Sequence, residues 1–252
     1  MEIIYGTINS RGDKMFFYLD WTYIILVLPA VILSMWASAK VNSTFKKYST
    51  TSNMAGLTGA EVARRILYEN GLYDVRIEMV HGHLTDHYDP RTNVVRLSES
   101  TYNNTSSSAI GVAAHEVGHA IQHATGYVPL KIRNAIVPVT NIGAKLSMPL
   151  ILLGILLSGF GQIFAYIAYA GVACFSLCAI FQLLTLPTEF NASRRALKII
   201  DDCGFLTDEE MVGARKVLSA AAMTYVAALA VTLAQLLRLV LLVASLNGNR
   251  RR

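Results

Sequence analysis

The chain has 252 residues, of which 53% are hydrophobic and 15% are charged, and its formal net charge is +5. This composition is too apolar and too weakly charged for an ordinary soluble domain of this size, so it predicts a membrane protein. The positive charge does not indicate nucleic-acid binding, because most lysines and arginines lie near the ends of apolar runs, where they act as topology signals.

Four apolar runs are long enough to cross the roughly 30 Å hydrocarbon layer as helices. The first spans 21–39 and follows an N-terminal segment, 1–20. The second and third form a hairpin within 146–186, with the helix expected to start near Ile142, and the fourth spans 220–246 before a basic tail, 247–252. The small residues at 37–39 also resemble a signal-peptide cleavage site, but the acidic residues before this run favour a retained membrane helix.

A polar segment, 40–145, lies between the first two runs and is long enough for one small domain. A capping box at Thr58 predicts a helix that ends at Gly71, and alternating apolar residues predict strands at 75–79 and 94–97 with a turn at 89–93. A further helix is predicted at 107–124. The order helix, strand, strand, helix indicates a small α+β domain in a mainly α membrane protein with about four transmembrane helices.

The segment 187–219 follows the third apolar run and is predicted to contain two helical stretches. The first spans 188–200 and is basic on one face. The second begins at a capping box whose first residue is Thr207 and is expected to continue into the fourth membrane helix.

The sequence from His115 to His119 reads His-Glu-Val-Gly-His within a predicted apolar helix. Residues four apart lie on one face of a helix, about 5–6 Å apart, so both imidazoles can point at one metal ion. Glu116 lies beside them and can take a proton from an attacking water. Two solvated histidines in a chance match are the alternative, but the apolar neighbours favour burial, where unpaired polar groups would be costly. The pattern is typical of zinc hydrolases that cleave peptide bonds.

A catalytic zinc site needs a third protein ligand. His123 repeats the spacing, but eight residues of helix place it about 12 Å along the axis from His115, too far for Zn–N bonds of about 2 Å to one ion. Glu189 is the better candidate, because two membrane crossings return the chain to the side that it left. The alternative role of Glu189 is to cap or flank a helix at the membrane interface.

The chain resembles the YugP-type membrane neutral zinc metallopeptidases, with a more distant similarity to the HtpX and CAAX prenyl protease group. The resemblance runs from about Met15, which puts the first fourteen residues outside it and makes them candidates for a non-native extension, through 115–122 to 189–193. It implies a gluzincin-like, zincin-type domain with one Zn²⁺ per chain and a glutamate base. The implied ligands are His115, His119 and Glu189, and the implied base is Glu116.

Other polar residues are candidates to hold the zinc ligands in place or to stabilise the tetrahedral oxyanion. The wider group often has an acidic residue four positions after its glutamate ligand, where this chain has Ser193. The other candidates are His123, Tyr88, Arg133 and Arg194. The strand 93–98, if it lies at a sheet edge, could bind an extended peptide. A second metal site at His81, His83 and His87 is conceivable, although solvated loop histidines are the favoured interpretation.

These features predict a zinc-dependent endopeptidase that spans the cell membrane several times, acts on peptides or proteins, membrane proteins among them, and has its active site in the cytoplasm. A role in membrane protein quality control rests on analogy with the distant relatives. One alternative is a non-catalytic, zinc-stabilised scaffold or chaperone, which would not need Glu116. The other is a transporter component, but the apolar runs contain almost no ionisable residue beyond Arg238. Nothing in the sequence indicates an oligomeric state.

The distribution of basic residues predicts the orientation in the membrane, because cytoplasmic flanks carry the excess of lysine and arginine. Eleven flank membrane segments on the side of the motif: Lys40, Lys46, Lys47, Lys131, Arg133, Lys145, Arg194, Arg195, Lys198, Arg215 and Lys216. Five lie opposite: Arg11, Lys14, Arg250, Arg251 and Arg252. The motif is therefore expected in the cytoplasm and the C-terminal tail outside.

Cysteine labelling of intact cells tests this orientation. With the native cysteines replaced, an impermeant thiol reagent should label Asn249→Cys in the tail and miss Asn103→Cys in the polar domain. Permeabilised cells, in which both positions should react, provide the control. Labelling of Asn103→Cys in sealed cells would place the domain outside the membrane.

Overall fold

The computed structural model describes residues 21–248, so the predictions for the segment 1–20 and for 249–252 of the tail lie outside the described residues. The helices are α1 (Leu28–Tyr48, after a π-helical turn at Tyr23–Val27), α2 (Gly59–Glu69), α3 (Glu99–Tyr102), α4 (Ser107–Ala124), α5 (Val128–Leu156), α6 (Gln162–Asp202) and α7 (Asp208–Gly248). The strands are β1 (Arg76–Val80), β2 (His87–Asp89) and β3 (Val94–Ser98).

Within the described residues, four helical segments are long and apolar enough to cross a membrane: Tyr23–Tyr48, Val128–Leu156, Gln162–Asp202 and Asp208–Ser245. The prediction of a mainly α membrane protein with a small α+β region is confirmed. The capping box at Thr207 is also present, and α7 continues from it without a break into the last membrane segment.

Two helix boundaries differ from the sequence prediction. α5 begins at Val128, far before the predicted second run, and contains Pro138 and Pro149 in its interior. α6 passes through Pro187 without interruption, so the segment predicted to follow residue 186 is one helix with the third membrane run. Prolines are tolerated in membrane helices where nearby hydroxyl groups bind backbone carbonyls. Here Thr185 donates to the Phe181 carbonyl at 2.8 Å and Thr188 to the Leu184 carbonyl at 3.3 Å.

The chain divides into two compact units. The membrane unit contains the described residues up to 35 together with 138–180 and those from 227 onward. Its helices α5 and α6 approach backbone to backbone, since a Cβ on Gly154 would lie 2.5 Å from the Phe164 carbonyl oxygen. Arg238 is 4% exposed, and its guanidinium carbon lies 5.5 Å from the centre of the Tyr23 ring. This arginine therefore faces protein rather than lipid.

The site unit contains 36–137 and 181–226. Its sheet has the order β1-β3-β2, with β1 parallel and β2 antiparallel to β3. The structure adds the short strand β2, which was not predicted from the sequence. It also places the strand around 93–98 at the centre of the sheet, so the condition for peptide binding at an edge is not met by that strand. β2 is too short for a periodic signal, and it forms because the turn after Asp89 folds it back onto β3.

The core of the site unit lies between α2, α4 and β3. Its largest fully buried apolar side chains include Val62, Ile66, Leu97, Ile110 and Val117. The predicted capping box at the start of α2 is present. The Thr58 hydroxyl accepts from the Glu61 amide at 3.2 Å, and the Glu61 carboxylate accepts from the Thr58 amide at 2.8 Å.

Two glycines of α4 allow other helices to approach its backbone. A Cβ on Gly111 would lie 3.2 Å from Ala214 of α7, and one on Gly118 would lie 2.9 Å from the Ala192 carbonyl oxygen of α6. The second distance is shorter than a side chain can accept without movement of the α6 backbone. Gly118 lies inside the His-Glu-Val-Gly-His motif, so this contact brings α6 directly against the two histidines.

We expect Gly118→Val to destabilise the fold by about 1–3 kcal/mol, because the added side chain must push α6 away from α4. Thermal unfolding in detergent, followed by circular dichroism, measures this as a drop of several degrees in Tm. Gly159→Val is the control, since a Cβ there meets no atom within 4 Å. An equal drop for both variants would contradict the assigned contact.

Candidate metal centre

Three metal-binding side chains meet between α4 and α6. Nε2 of His115 lies 3.3 Å from Oε2 of Glu189, and Nε2 of His119 lies 3.5 Å from the same oxygen. One donor atom from each residue lies within 4.8 Å of the others. The side chains are 11%, 12% and 5% exposed, so they form a nearly buried cluster.

The separations between the Glu189 oxygen and the two imidazole nitrogens fit zinc. Tetrahedral coordination with bonds of about 2.0–2.1 Å places neighbouring ligand atoms about 3.3 Å apart. The two distances to Glu189 are close to this value, and all three donor atoms lie within 4.8 Å of one another. Within residues 21–248, this is the one group of three His, Cys, Asp or Glu residues placed to hold a metal ion.

Hydrogen bonds to the Nδ1 atom of each imidazole orient its Nε2 atom, which is the candidate metal-binding atom. Nδ1 of His115 lies 3.1 Å from the Ser193 hydroxyl, and Nδ1 of His119 lies 3.0 Å from the amide oxygen of Gln122. The Gln122 amide nitrogen donates to the Thr188 carbonyl at 2.8 Å and to the Asn191 side-chain oxygen at 2.9 Å. Both Nε2 atoms are thereby directed at Glu189.

The Gln122 contacts also assign the proton on His119. Because the amide nitrogen of Gln122 faces two acceptors, its oxygen faces His119, and Nδ1 of the imidazole must donate. In the neutral imidazole, Nε2 then carries a lone pair directed at a carboxylate oxygen 3.5 Å away. Two lone pairs at this distance repel unless a cation lies between them, so the geometry requires a proton or a metal ion.

The direction of the His119 pKa agrees with this requirement. Burial alone lowers the pKa of the imidazole, but the hydrogen bond and negative charge of Glu189 outweigh it and raise the pKa above its ordinary value. The negative charge of Glu116 acts in the same direction. The cluster therefore attracts positive charge.

Glu116 lies beside the cluster and is 8% exposed. Burial raises the pKa of its carboxyl group, against the opposing effect of His115 and His119. None of the hydrogen bonds among the described residues involves this carboxylate. An unpaired, buried carboxylate with a raised pKa is suited to accept and return a proton near neutral pH.

A cavity of about 190 Å³ connects these residues with the sheet and with α5 and α7. It is lined by Asp86, His87, Tyr88, Pro90, Glu116, His119, Leu130, Arg133, Asn134, Glu189 and Tyr225. The segment 86–90, which contains β2, forms one wall of the cavity. β2 is an edge strand, so a sheet edge does line the cavity, although it is a different strand from the one predicted.

The other residues predicted to support the site differ in their positions relative to the cavity. Tyr88 and Arg133 line the cavity, and the Nε of Arg133 is buried with no hydrogen-bond partner in the described part of the chain. His123 is not in the metal cluster: its Nδ1 lies 2.9 Å from the Tyr88 hydroxyl. Burial raises the pKa of Tyr88, so this phenol remains a hydrogen-bond donor at neutral pH and donates to Asn93 at 2.8 Å.

Arg194 is exposed and is not among the residues that line the cavity, so the structure does not bring it together with the other oxyanion candidates. Its neighbour Arg195 faces inward and donates to the Asn191 side-chain oxygen at 2.8 Å. The predicted alternative of a second metal site is also not found within the described residues. His81 instead contacts Glu99, and the His83 ring packs edge-on against Phe45.

Three residues of the site had no predicted role. Gln122 stands three positions after His119, and this helical spacing could have identified it. Asp86 accepts from the backbone amide of Ser98 at 2.7 Å, which holds its carboxylate at the cavity wall. Tyr225 lies in the fourth apolar run and lines the same cavity as Glu189. No local pattern in the sequence distinguishes these last two.

Comparisons with known proteins agree with this geometry. Residues 23–244 match the model of a family described as "Putative neutral zinc metallopeptidase". The chain is 52% identical over 226 residues to "Putative membrane protease YugP" of Bacillus subtilis (strain 168), which covers 90% of this chain and 97% of that protein. No solved structure matches the chain. The resemblance inferred from the sequence is confirmed.

We expect purified protein to bind about one zinc ion per chain, and His115→Ala, His119→Ala or Glu189→Ala to lose most of it, because each removes one ligand. Glu116→Gln should retain zinc, since it keeps the shape of the side chain and removes no ligand. Elemental analysis after gel filtration measures the ratio. Full zinc occupancy in Glu189→Ala would exclude Glu189 as a ligand.

Proposed function

The chain belongs to the family described as "Putative neutral zinc metallopeptidase", and from this premise we propose that it is a zinc-dependent endopeptidase whose active site is the cavity beside Glu116. One observation carries the proposal: the unpaired carboxylate of Glu116 lines the same cavity as His119 and Glu189. A site that only bound zinc for stability would not need a buried carboxylate next to the ligands. Its burial without a partner is costly and indicates a chemical role.

His115, His119 and Glu189 would hold the zinc ion. When bound, the ion would supply Lewis-acid polarisation of a peptide carbonyl and would lower the pKa of a water molecule. Glu116 would accept a proton from the attacking water and deliver it to the nitrogen of the broken peptide bond. Its raised pKa favours the second half of this transfer, because the protonated carboxyl group is stable in the cavity until the leaving amine takes the proton.

Arg133 and Tyr225 are proposed to stabilise the developing oxyanion. Both line the cavity, and the buried Nε of Arg133 has a hydrogen to donate and no hydrogen-bond partner among residues 21–248. Donors of this kind lower the barrier most when the site excludes water. Arg133 also stacks 5.7 Å from the centre of the Phe181 ring, which limits its movement.

The edge strand β2 is proposed to bind the substrate in an extended conformation. His87 and Tyr88 belong to this strand and line the cavity, so a peptide paired with its free edge would pass close to Glu116. Recognition through backbone hydrogen bonds depends little on side chains and suits an enzyme that cleaves varied peptides. Peptide segments at the membrane surface, including those of damaged membrane proteins, are the proposed substrates.

We further propose that the chain crosses the cell membrane several times and has its active site on the cytoplasmic side. Residues of the cavity come from α5, α6 and α7, each of which continues into an apolar segment long enough to span the membrane. The site would therefore lie close to the membrane surface, within reach of segments that emerge from the bilayer.

Activity measurements with Glu116→Gln test the proposal. We expect cleavage of a quenched fluorescent peptide or of casein to fall by about 10²–10⁴-fold, while zinc content and thermal stability stay unchanged, because only the proton carrier is lost. A zinc chelator should abolish cleavage by the wild type. Glu78→Gln is the matched control, since this glutamate lies on β1 and its ion pairs are partly exposed.

Two results would contradict the proposal. Cleavage by Glu116→Gln at the wild-type rate would assign the activity to other residues. Zinc-loaded wild type that cleaves none of a broad library of peptides and membrane-protein segments would favour the scaffold alternative.

A further inference from the structure

A second and larger depression lies in the site unit between α1 and α7. It has a volume of about 560 Å³ and is lined by Trp36, Lys40, Thr44, Lys47, Tyr48, Arg215, Lys216, Ser219, Ala220 and Met223. None of these residues lines the cavity beside Glu116. We call this depression the α1–α7 groove.

The α1–α7 groove is strongly basic. Four of its ten lining residues are lysine or arginine, and none is acidic. Among the described residues, none of these four cations forms an ion pair with a carboxylate within 4.0 Å. Arg215 and Lys216 also line a second depression together with Asp201 and Asp208, so these two cations have carboxylates in their surroundings. Lys40 and Lys47 line the groove but not this second depression, and no acidic residue lines the groove.

The cations are held together by the packing of Tyr48. Nζ of Lys47 lies 5.6 Å and Nζ of Lys216 lies 5.9 Å from the centre of this ring. The ring itself packs against α7 at Gly213, where a Cβ would lie 2.9 Å from a Tyr48 ring carbon. Lysines from two different helices are thus brought to one side of the groove, against the repulsion between their charges.

The groove is polar at one end and apolar at the other. On α1, Trp36 precedes Lys40 and Lys47, and on α7, Arg215 and Lys216 precede Met223. The end of α1 packs against the start of α7 at Tyr48 and Gly213, so the two helices run antiparallel along the groove. Their basic residues therefore lie at one end of the groove and their apolar residues at the other. Trp36 and Lys47 are separated by about 16 Å along a helix axis. Both helices are candidate membrane spans, and Trp36, 53% exposed, is a residue typical of the membrane interface.

We propose that the α1–α7 groove binds an anionic phospholipid. The phosphate and the negatively charged headgroup lie against Lys40, Lys47 and Lys216, and an acyl chain lies along Trp36 and Met223. Unpaired cations at a membrane surface attract anionic lipids, and charge-assisted hydrogen bonds to phosphate oxygens provide the specificity. A free phosphate would leave the apolar end of the groove uncovered. Acidic side chains of a peptide would likewise make no favourable contact with that apolar end. This inference is independent of the proposed peptidase activity.

Quenching of Trp36 fluorescence by brominated lipids tests the proposal. In a Trp21→Phe background, Trp36 is the only tryptophan. The purified full-length protein in detergent is titrated with brominated phosphatidylglycerol and, separately, with phosphatidylcholine carrying the same brominated chains. We expect phosphatidylglycerol to quench at much lower concentration, because only its headgroup has a net negative charge.

Two triple variants separate the groove from general surface charge. Lys40→Gln/Lys47→Gln/Lys216→Gln should weaken phosphatidylglycerol binding by about a hundredfold, at about fivefold per cation, and leave phosphatidylcholine unaffected. Arg64→Gln/Arg65→Gln/Arg91→Gln changes the net charge equally at exposed sites outside the groove and should bind like the wild type. Circular dichroism and zinc content verify that both variants are folded.

Several outcomes would overturn the proposal. Equal quenching by the two lipids, or equal weakening in both triple variants, would exclude a specific lipid site in the groove. Reversal of the quenching by millimolar inorganic phosphate would indicate a site for free phosphate, and reversal by soluble poly-glutamate would indicate an acidic peptide. Disulfide cross-linking of Trp36→Cys between two chains at high yield would assign the groove to a second copy of the protein.

Discussion

The metal site depends on the contact between α4 and α6. A Cβ at Gly118 would lie 2.9 Å from the Ala192 carbonyl oxygen, so the absence of a side chain at this position sets the separation of the two helices. At this separation, Glu189 reaches both imidazoles at 3.3 and 3.5 Å. A wider separation would remove the third ligand, because the glutamate is on one helix and the histidines are on the other.

The charge balance of the site follows from the same contact. Gln122 joins His119 of α4 to the Thr188 carbonyl and the Asn191 side chain of α6, and this network determines which imidazole nitrogen carries the proton. Nε2 of His119 and the Glu189 carboxylate oxygen then face each other as two acceptor atoms in a nearly buried space, 3.5 Å apart. Such an arrangement is stable only with positive charge at its centre, which is what a Zn²⁺ ion provides. The side-chain amide of Gln122 thus contributes both to the contact between α4 and α6 and to the charge balance of the proposed zinc site.

The long helices α6 and α7 are apolar in one part and polar in another. Both contribute residues to the proposed catalytic cavity, and α7 also contributes residues to the proposed lipid site. α6 carries Glu189 in its C-terminal third, after an apolar span, and α7 carries Tyr225 beside the cavity and Arg215 in the α1–α7 groove. An enzyme built in this way would have its catalytic residues and its lipid contacts on the same rigid elements. The proposed substrates, peptide segments near the bilayer, would meet the cavity without leaving the membrane surface.

The sequence alone determined the features that depend on local spacing. His115 and His119 share a helix face because they are four residues apart, the capping box at Thr58 satisfies amides one turn away, and the apolar runs are long enough to span a bilayer. Glu189 could be proposed because two membrane crossings return the chain to one side. None of these inferences requires knowledge of how distant segments pack.

Tertiary structure decided the rest. The strand β2 exists only through pairing with β3, and Tyr225 joins the cavity only because α7 packs beside α4. Arg194 and Arg195 are equivalent in the sequence, yet the packing of α6 exposes the first and directs the second to Asn191. These outcomes depend on which face of a helix or edge of a strand meets a partner far away in the chain, and local periodicity contains no information about that choice.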